Sequence, residues 1–266
     1  MPRPLESQNQ HLYANFGKRH HLERVLSELL SSSQIVYQVD GSTIPLTRLE
    51  NGYAVDAPSI ETVFDEYLDP DNKTIVGACR TISIGVAAKL KLLNMITGWE
   101  LLASTKGHFS TLVMLKGCEV PFFIDLGATQ PSPTAIPIDG NEYNDEVGTG
   151  WTIENYGDGY MIYITREPDL ETEARRYKIV DSPEDEVESM LFGLVNIPKL
   201  GRKFFKGSEY IEEPFEPSCE SDVNIKELRD ATSFAITIGV GGVPIEYFEY
   251  TRQPKAISNS SSQPNM

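Results

Sequence analysis

Apolar residues recur at helical spacing in three places before residue 100. Leu22, Val25, Leu26, Leu29 and Leu30 share one face of a 3.6-residue repeat, which predicts a helix over Leu22–Leu30 that stops at the serine turn Ser31–Ser33. Two short extended pieces follow, Gln34–Val39 and Ser42–Leu46, on either side of the turn dipeptide Asp40-Gly41. Ser59-x-x-Thr62 stands ahead of Val63, Phe64 and Tyr67 and predicts a helix that starts near Pro58 and stops at Asp69-Pro70. Between Thr81 and Met95 the only helix breaker is Gly85, and Ile84, Ala87, Ala88, Lys91 and Leu92 recur at helical spacing. That stretch reads as a buried helix whose N-terminus lies at or just before Cys79.

From Trp99 the pattern shortens to strand-like runs: Glu100–Ser104, Phe109–Leu115, Val120–Leu126, Gly150–Glu154 and Gly159–Arg166. Several are bounded by Gly, Pro or Asn turns, so a meandering antiparallel sheet or small barrel is expected. Helical signals return over Glu184–Val195, and Phe234–Ile238 and Pro244–Tyr250 form a closing pair of strands around Gly239–Gly242. The glycines there lack the strand-to-helix GxGxxG context of a dinucleotide site and read as a turn. No internal repeat, phosphate loop or zinc-ligand spacing is present in the sequence. Pro254–Met266, rich in Ser, Asn, Gln and Pro, reads as a disordered tail.

Composition narrows the class. The 39 acidic residues against 23 basic ones give a formal charge of −16, which argues against a nucleic-acid or anionic-membrane partner. Lys199, Arg202, Lys203 and Lys206 sit together in an otherwise acidic C-terminal half, and read as a solvated loop or a local anion patch. No run approaches the ~18 apolar residues of a spanning helix, and Met1–Gln10 is polar, so a cytoplasmic protein is expected. Cys79, Cys118 and Cys219 are odd in number and widely spaced, which fits neither a disulfide framework nor a metal site and leaves at least one thiol free.

Of four histidines, His11, His20 and His21 lie near the start, so His108 is the only imidazole in the body of the chain. It opens one expected strand, Asp125 closes another, and Cys79 begins a helix. Taken singly, each residue has an ordinary use: a small buried hydrophobe, a satisfied histidine, a turn-forming aspartate. Together they can supply a thiol nucleophile whose pKa a helix start lowers, a base that shuttles its proton, and a carboxylate that fixes the imidazole. Backbone N–H groups at the helix start could face an oxyanion.

Between about Ile60 and Ile138 the chain resembles the arylamine N-acetyltransferases. The segments that carry the resemblance are Ile60-Glu61-x-Val63-Phe64-Asp65, Gly77-Ala78-Cys79, Leu93-x-x-x-x-Gly98-Trp99-Glu100-Leu101, His108-x-x-x-Leu112-Val113 and Phe122-Phe123-Ile124-Asp125-Leu126-Gly127. Ile75-Val76-Gly77-Ala78 stands where that family has an Arg-Gly-Gly-aromatic segment, Arg80-Thr81 follows the cysteine, and Ala128-Thr129 follows Gly127. The resemblance implies a catalytic Cys79–His108–Asp125 triad in an α+β fold. Its implied order is an N-terminal helical bundle carrying the nucleophile (residues 1–98), a central antiparallel β-barrel (99–180) and a C-terminal α/β lid (181–253) before the tail (254–266).

It also implies an acyltransferase with acetyl-coenzyme A or another acyl thioester as co-substrate and no metal. The coenzyme arm is expected near Thr105, Lys106 and Gly107, which otherwise read as a β-turn. The acceptor is a small-molecule amine or hydroxyl, and the altered site lining suggests a specialised acceptor of secondary metabolism. Trp99, Phe109, Phe122 and Phe123 are candidates to line a water-excluding pocket or to fill the core. Two further readings stay open: a transglutaminase-like thiol hydrolase or cyclase acting on an amide or ester, and a catalytically silent binding protein of the same fold.

Overall fold

The computed structural model describes residues 5–32, 35–39, 46–49, 52–105, 107–126, 134–145, 148–166, 171–196, 201–206, 209–214, 233–240 and 243–251. The fold is a mixed α+β arrangement built on an eight-stranded antiparallel sheet. In chain order its strands are β5 (Ile96–Ser104), β6 (Phe109–Leu115), β7 (Phe122–Asp125), β8 (Thr134–Pro137), β9 (Tyr143–Asn144), β10 (Gly150–Tyr156), β11 (Gly159–Arg166) and β12 (Glu171–Ile179). Their spatial order is β8-β7-β6-β5-β12-β11-β10-β9.

That order forces the sheet to curl. β8 and β9 sit at opposite edges yet are consecutive in the chain. Laid flat, seven strand spacings of about 4.8 Å separate the edges by about 34 Å. The six steps from Pro137 to Tyr143 reach about 22 Å at most. The edges must therefore approach, and the sheet is barrel-like.

Alternation along β5, β6 and β7 serves two cores. Leu102, Leu112 and Phe123 join Trp151, Ile153, Ile162, Ile164 and Tyr177 inside the curled sheet. The intervening Leu101, Ala103, Val113, Phe122 and Ile124 face outward onto helices. With both faces covered, these strands read as continuous apolar runs. The helical layer over them comprises α1 (Leu5–Ser31), α2 (Ile60–Leu68) and α3 (Cys79–Leu92). Ser59 caps α2 by accepting the Thr62 N–H at 3.2 Å, and Asp69 ends it, as the pattern predicts. In α3 every residue from Ile82 to Leu90 is buried. Gly85 is needed there because a Cβ would stand 2.8 Å from Ile75 Cγ2 and 3.0 Å from Tyr67 Cδ2.

Several elements differ from expectation. β1 (Ile35–Val39) falls on the expected extended piece Gln34–Val39, but β2 (Leu46–Leu49) meets the second expected piece only at Leu46, and β3 (Gly52–Pro58) and β4 (Ile75–Gly77) add strands to a region expected to be helical. β1 runs parallel to β4 and pairs with β13 (Gly201–Lys206), and β3 runs parallel to β15 (Ser233–Val240). These segments share two four-stranded sheets with the C-terminal part of the chain. Local patterning missed β3, which pairs on one side with its neighbour β2 and on the other with β15, remote in sequence. The basic residues Arg202, Lys203 and Lys206 belong to β13, paired with β14 (Glu209–Pro214), instead of a loop. α4 (Pro183–Asn196) falls at the expected helix, and β15 forms a hairpin with β16 (Val243–Thr251). Ser42–Pro45, Lys199, Cys219 and Pro254–Met266 lie outside the described residues. Among the described residues no helix is long and apolar enough to cross a membrane.

Candidate active site

Cys79 is the first residue of α3. β4 delivers it, and the step from strand to helix is tight: a Cβ on Gly77 would lie 2.6 Å from Thr81 Cβ. Ala78, at the N-cap, makes no side-chain cap hydrogen bond. The first-turn N–H groups, with the positive end of the helix dipole, are thus left to act at the cysteine. α3 is bolted to β6 by two buried hydrogen bonds. Ser83 Oγ donates to the Phe109 carbonyl at 3.1 Å, and Thr111 Oγ1 donates to the Ser83 carbonyl at 2.7 Å. The strand that His108 opens is therefore fixed against the helix that Cys79 opens.

His108 sits at the exit of the β5–β6 hairpin. Ser104 closes this turn: its N–H donates to the His108 carbonyl at 2.8 Å, its hydroxyl accepts the His108 N–H at 3.2 Å, and its carbonyl accepts the Gly107 N–H at 3.0 Å. Gly107 has φ +78°, a left-handed conformation that favours glycine. Asp125, at the end of β7, has the same strand parity as Phe123 and so points to the inner face. It is 3% exposed, and its Oδ1 accepts from His108 Nε2 at 2.9 Å. That bond leaves Nδ1 for the Cys79 sulfur, the neighbour that titrates together with the imidazole. Tyr177, buried on β12, stands edge-on to His108 with ring centroids 6.5 Å apart.

The electrostatics favour an ion pair. Burial pushes the Cys79 thiol up, but the His108 hydrogen bond and charge, with backbone hydrogen bonds at Phe109 and Arg80, outweigh it and hold the thiol below its ordinary value. Burial pushes His108 down, yet the Asp125 charge, the Tyr177 oxygen, and hydrogen bonds to Asp125 and Cys79 raise it well above its usual range. Both shifts run in the direction that favours a thiolate–imidazolium pair. By contrast, burial raises the free thiol of Cys118, in the turn after β6.

The structure thus brings Cys79, His108 and Asp125 together. Thr105 and Gly107 lie in the turn just before His108, and Lys106 lies outside the described residues. Phe109, Phe122 and Phe123 are core residues, and Trp99 stacks on Phe64 at 4.9 Å. Among the described residues no cluster of His, Cys, Asp and Glu could hold a metal ion. The sequence reading overlooked Tyr177, Ser104, Ser83 and Thr111. Tyr177 reaches the site only because β12 pairs with β5, opposite Ser104, and no local signal marks that pairing. A Ser–Thr pair on α3 and β6 carries no motif either.

No protein-family profile matches the chain, and no curated protein matches it in sequence. Solved structures similar to it are arylamine N-acetyltransferases. That of Mycobacterium marinum in complex with CoA is 14% identical, with 73% of this chain and 81% of that chain covered and a TM-score of 0.45. The M. smegmatis enzyme is 11% identical over 73% and 80%, with a TM-score of 0.46. The M. tuberculosis enzyme is 11% identical over 72% and 74%, with a TM-score of 0.43.

Proposed function

We propose that this protein is a cysteine acyltransferase that carries its acyl group as a thioester on Cys79. The observation that supports this reading is the setting of Cys79 at an uncapped helix start beside His108, whose Nε2 donates to buried Asp125 at 2.9 Å. The motif resemblance over Ile60–Ile138 selects an acyl thioester, of the acetyl-coenzyme A type, as donor. The segment Thr105-Lys106-Gly107 is the proposed place for its arm, because it leads directly into His108.

In the first half-reaction the Cys79 thiolate adds to the thioester carbonyl. First-turn N–H groups of α3 are placed to receive the developing oxyanion. Collapse of the tetrahedral intermediate breaks the carbonyl bond to the donor sulfur, and His108 supplies the proton that the departing thiolate takes. Acyl-Cys79 and a neutral imidazole remain. In the second half, an amine or hydroxyl acceptor attacks acyl-Cys79 while His108 accepts its proton. The acylated product leaves, and the thiolate–imidazolium pair is restored. Asp125 keeps Nε2–H oriented and offsets the imidazolium charge throughout.

Incubation with acetyl-coenzyme A, followed by intact mass and peptide mapping, tests the proposal. One acetyl group on Cys79, discharged by a small amine, is expected. Failure of a panel of acyl thioesters to acylate Cys79, with hydrolysis of ester or amide substrates instead, would refute transfer in favour of a thiol hydrolase. Biological activity unchanged in Cys79→Ala would refute both and leave a binding protein.

A further inference from the structure

Helix α4 is remote in sequence from every residue of the proposed triad, yet it reaches both halves of the site. Glu186 and Ser189, three residues apart, lie on neighbouring positions of one helical face. Glu186 Oε1 accepts a hydrogen bond from Arg80 Nε, and Arg80 Nη2 also donates to the Pro58 carbonyl at 2.8 Å. Ser189 Oγ donates to the Ser104 carbonyl at 3.0 Å. All four side chains are buried: Arg80 at 6% exposure, Glu186 and Ser189 at 3%, Ser104 at 2%.

The two contacts end on the two residues that hold the reacting groups. Arg80 follows Cys79 in the chain, and its backbone hydrogen-bonds the sulfur, while its guanidinium points away to α4. Ser104 clamps the His108 backbone from both sides, through its N–H and its hydroxyl. A charged pair taken out of water contributes little net stability compared with apolar packing. It does hold fixed geometry, because either partner alone would be an uncompensated buried charge. A one-ångström loosening between nucleophile and base is enough to lose a large part of the rate.

We propose that Glu186 and Ser189 are positioning residues, through which α4 sets the separation between the Cys79 thiol and the His108 imidazole. This inference rests on the cysteine-transferase reading of the site. Neither residue reaches the reacting atoms: Glu186 acts through Arg80 and Ser189 through Ser104. Among the described residues, the charged or titratable groups around the thiol are His108, Asp125 behind it, Tyr177 at its edge, and the Arg80–Glu186 pair. Within that set, geometry and charge predict opposite outcomes for Glu186. Removing its negative charge favours the thiolate and moves the acid limb of thiol reactivity to lower pH. Releasing Arg80 and loosening the sulfur from the imidazole moves that limb to higher pH.

The test is the pH profile of iodoacetamide alkylation of Cys79 in the full-length chain, mapped by peptide mass, beside the melting temperature of each variant. Glu186→Gln should shift the acid limb upward by about one pH unit, which is about a tenfold loss in rate at pH 6. Ser189→Ala, which removes a single hydroxyl, should shift it the same way and lower the rate about three- to tenfold, the scale of one hydrogen bond. This second variant keeps the test independent of the ion pair's role in folding. Profiles that superimpose on that of the parent while the melting temperature falls would overturn the inference, as would a downward shift in Glu186→Gln. A parent protein in which Cys79 reacts no faster than Cys118 at pH 6 would overturn the transferase reading itself.

Discussion

Asp125→Asn separates the charge of the proposed triad from its shape. The amide has nearly the same volume and can still accept from His108 Nε2, so the 2.9 Å contact and the packing at the end of β7 are retained. What is lost is a negative charge hydrogen-bonded to the imidazolium, a contact that sets charge centres roughly 4 Å apart. At an effective dielectric of ~20 such a pair is worth about 4 kcal/mol, or about three pKa units. Measured shifts beside an opposite charge run about 1–3 units, so the raised His108 value should fall by that amount. With it the equilibrium for the thiolate–imidazolium pair falls about 10- to 1000-fold, and turnover by up to about 10⁴-fold, as in a comparable serine triad.

The assay is Cys79 alkylation from pH 4 to 9 on parent and variant, with thermal melts of the same preparations. The parent rate should be level between the lowered thiol value and the raised imidazole value, and the variant should lose the acidic part of that plateau. The stability difference has a definite sign. A histidine raised in the folded state stabilises fully below its unfolded value of ~6.5, and this contribution disappears as pH rises through the folded value. The variant's melting deficit should therefore be largest in acid and close toward alkaline pH. An unchanged alkylation profile, with a melting deficit independent of pH, would mean that Asp125 only caps a strand.

Cys79→Ala should abolish turnover with the fold intact, whereas Cys118→Ser should leave activity unchanged; equal loss in both would count against Cys79. His108→Ala should remove low-pH alkylation of Cys79, because the helix dipole alone supplies only about 0.3–1 kcal/mol; persistence of that reactivity would disprove the ion pair. Gly107→Ala should cost about 1–2 kcal/mol, since φ +78° is a left-handed conformation, and a denaturation midpoint equal to the parent's would contradict the turn geometry. In Gly85→Ala, overpacking against Ile75 and Tyr67 costs about 1–3 kcal/mol and better helix propensity returns about 1, so net destabilisation is expected in urea melts.

Helices and turns were legible where their causes are local. The Ser59 cap, the apolar repeat from Thr81 onward, and the chemistry of a single cysteine, imidazole and carboxylate at element ends depend on residues a few positions apart. Those signals named Cys79, His108 and Asp125, and the segments around them carried the family resemblance. The motif could not show that the three approach one another, because that depends on Ser83 and Thr111 fastening α3 to β6 and on the β6–β7 register. Charged β12, read from its own residues, has no reason to be a strand. It becomes one between β11 and β5, where pairing places Tyr177 beside His108. β1 and β3 also pair with β13 and β15, more than 150 residues away, and curling of the sheet follows from the short link between edge strands, a property of topology. Local periodicity thus determined which residues could do chemistry, while hydrogen bonds between strands and helices distant in sequence decided which of them meet, since such pairing depends on position in space and leaves no periodic trace in the chain.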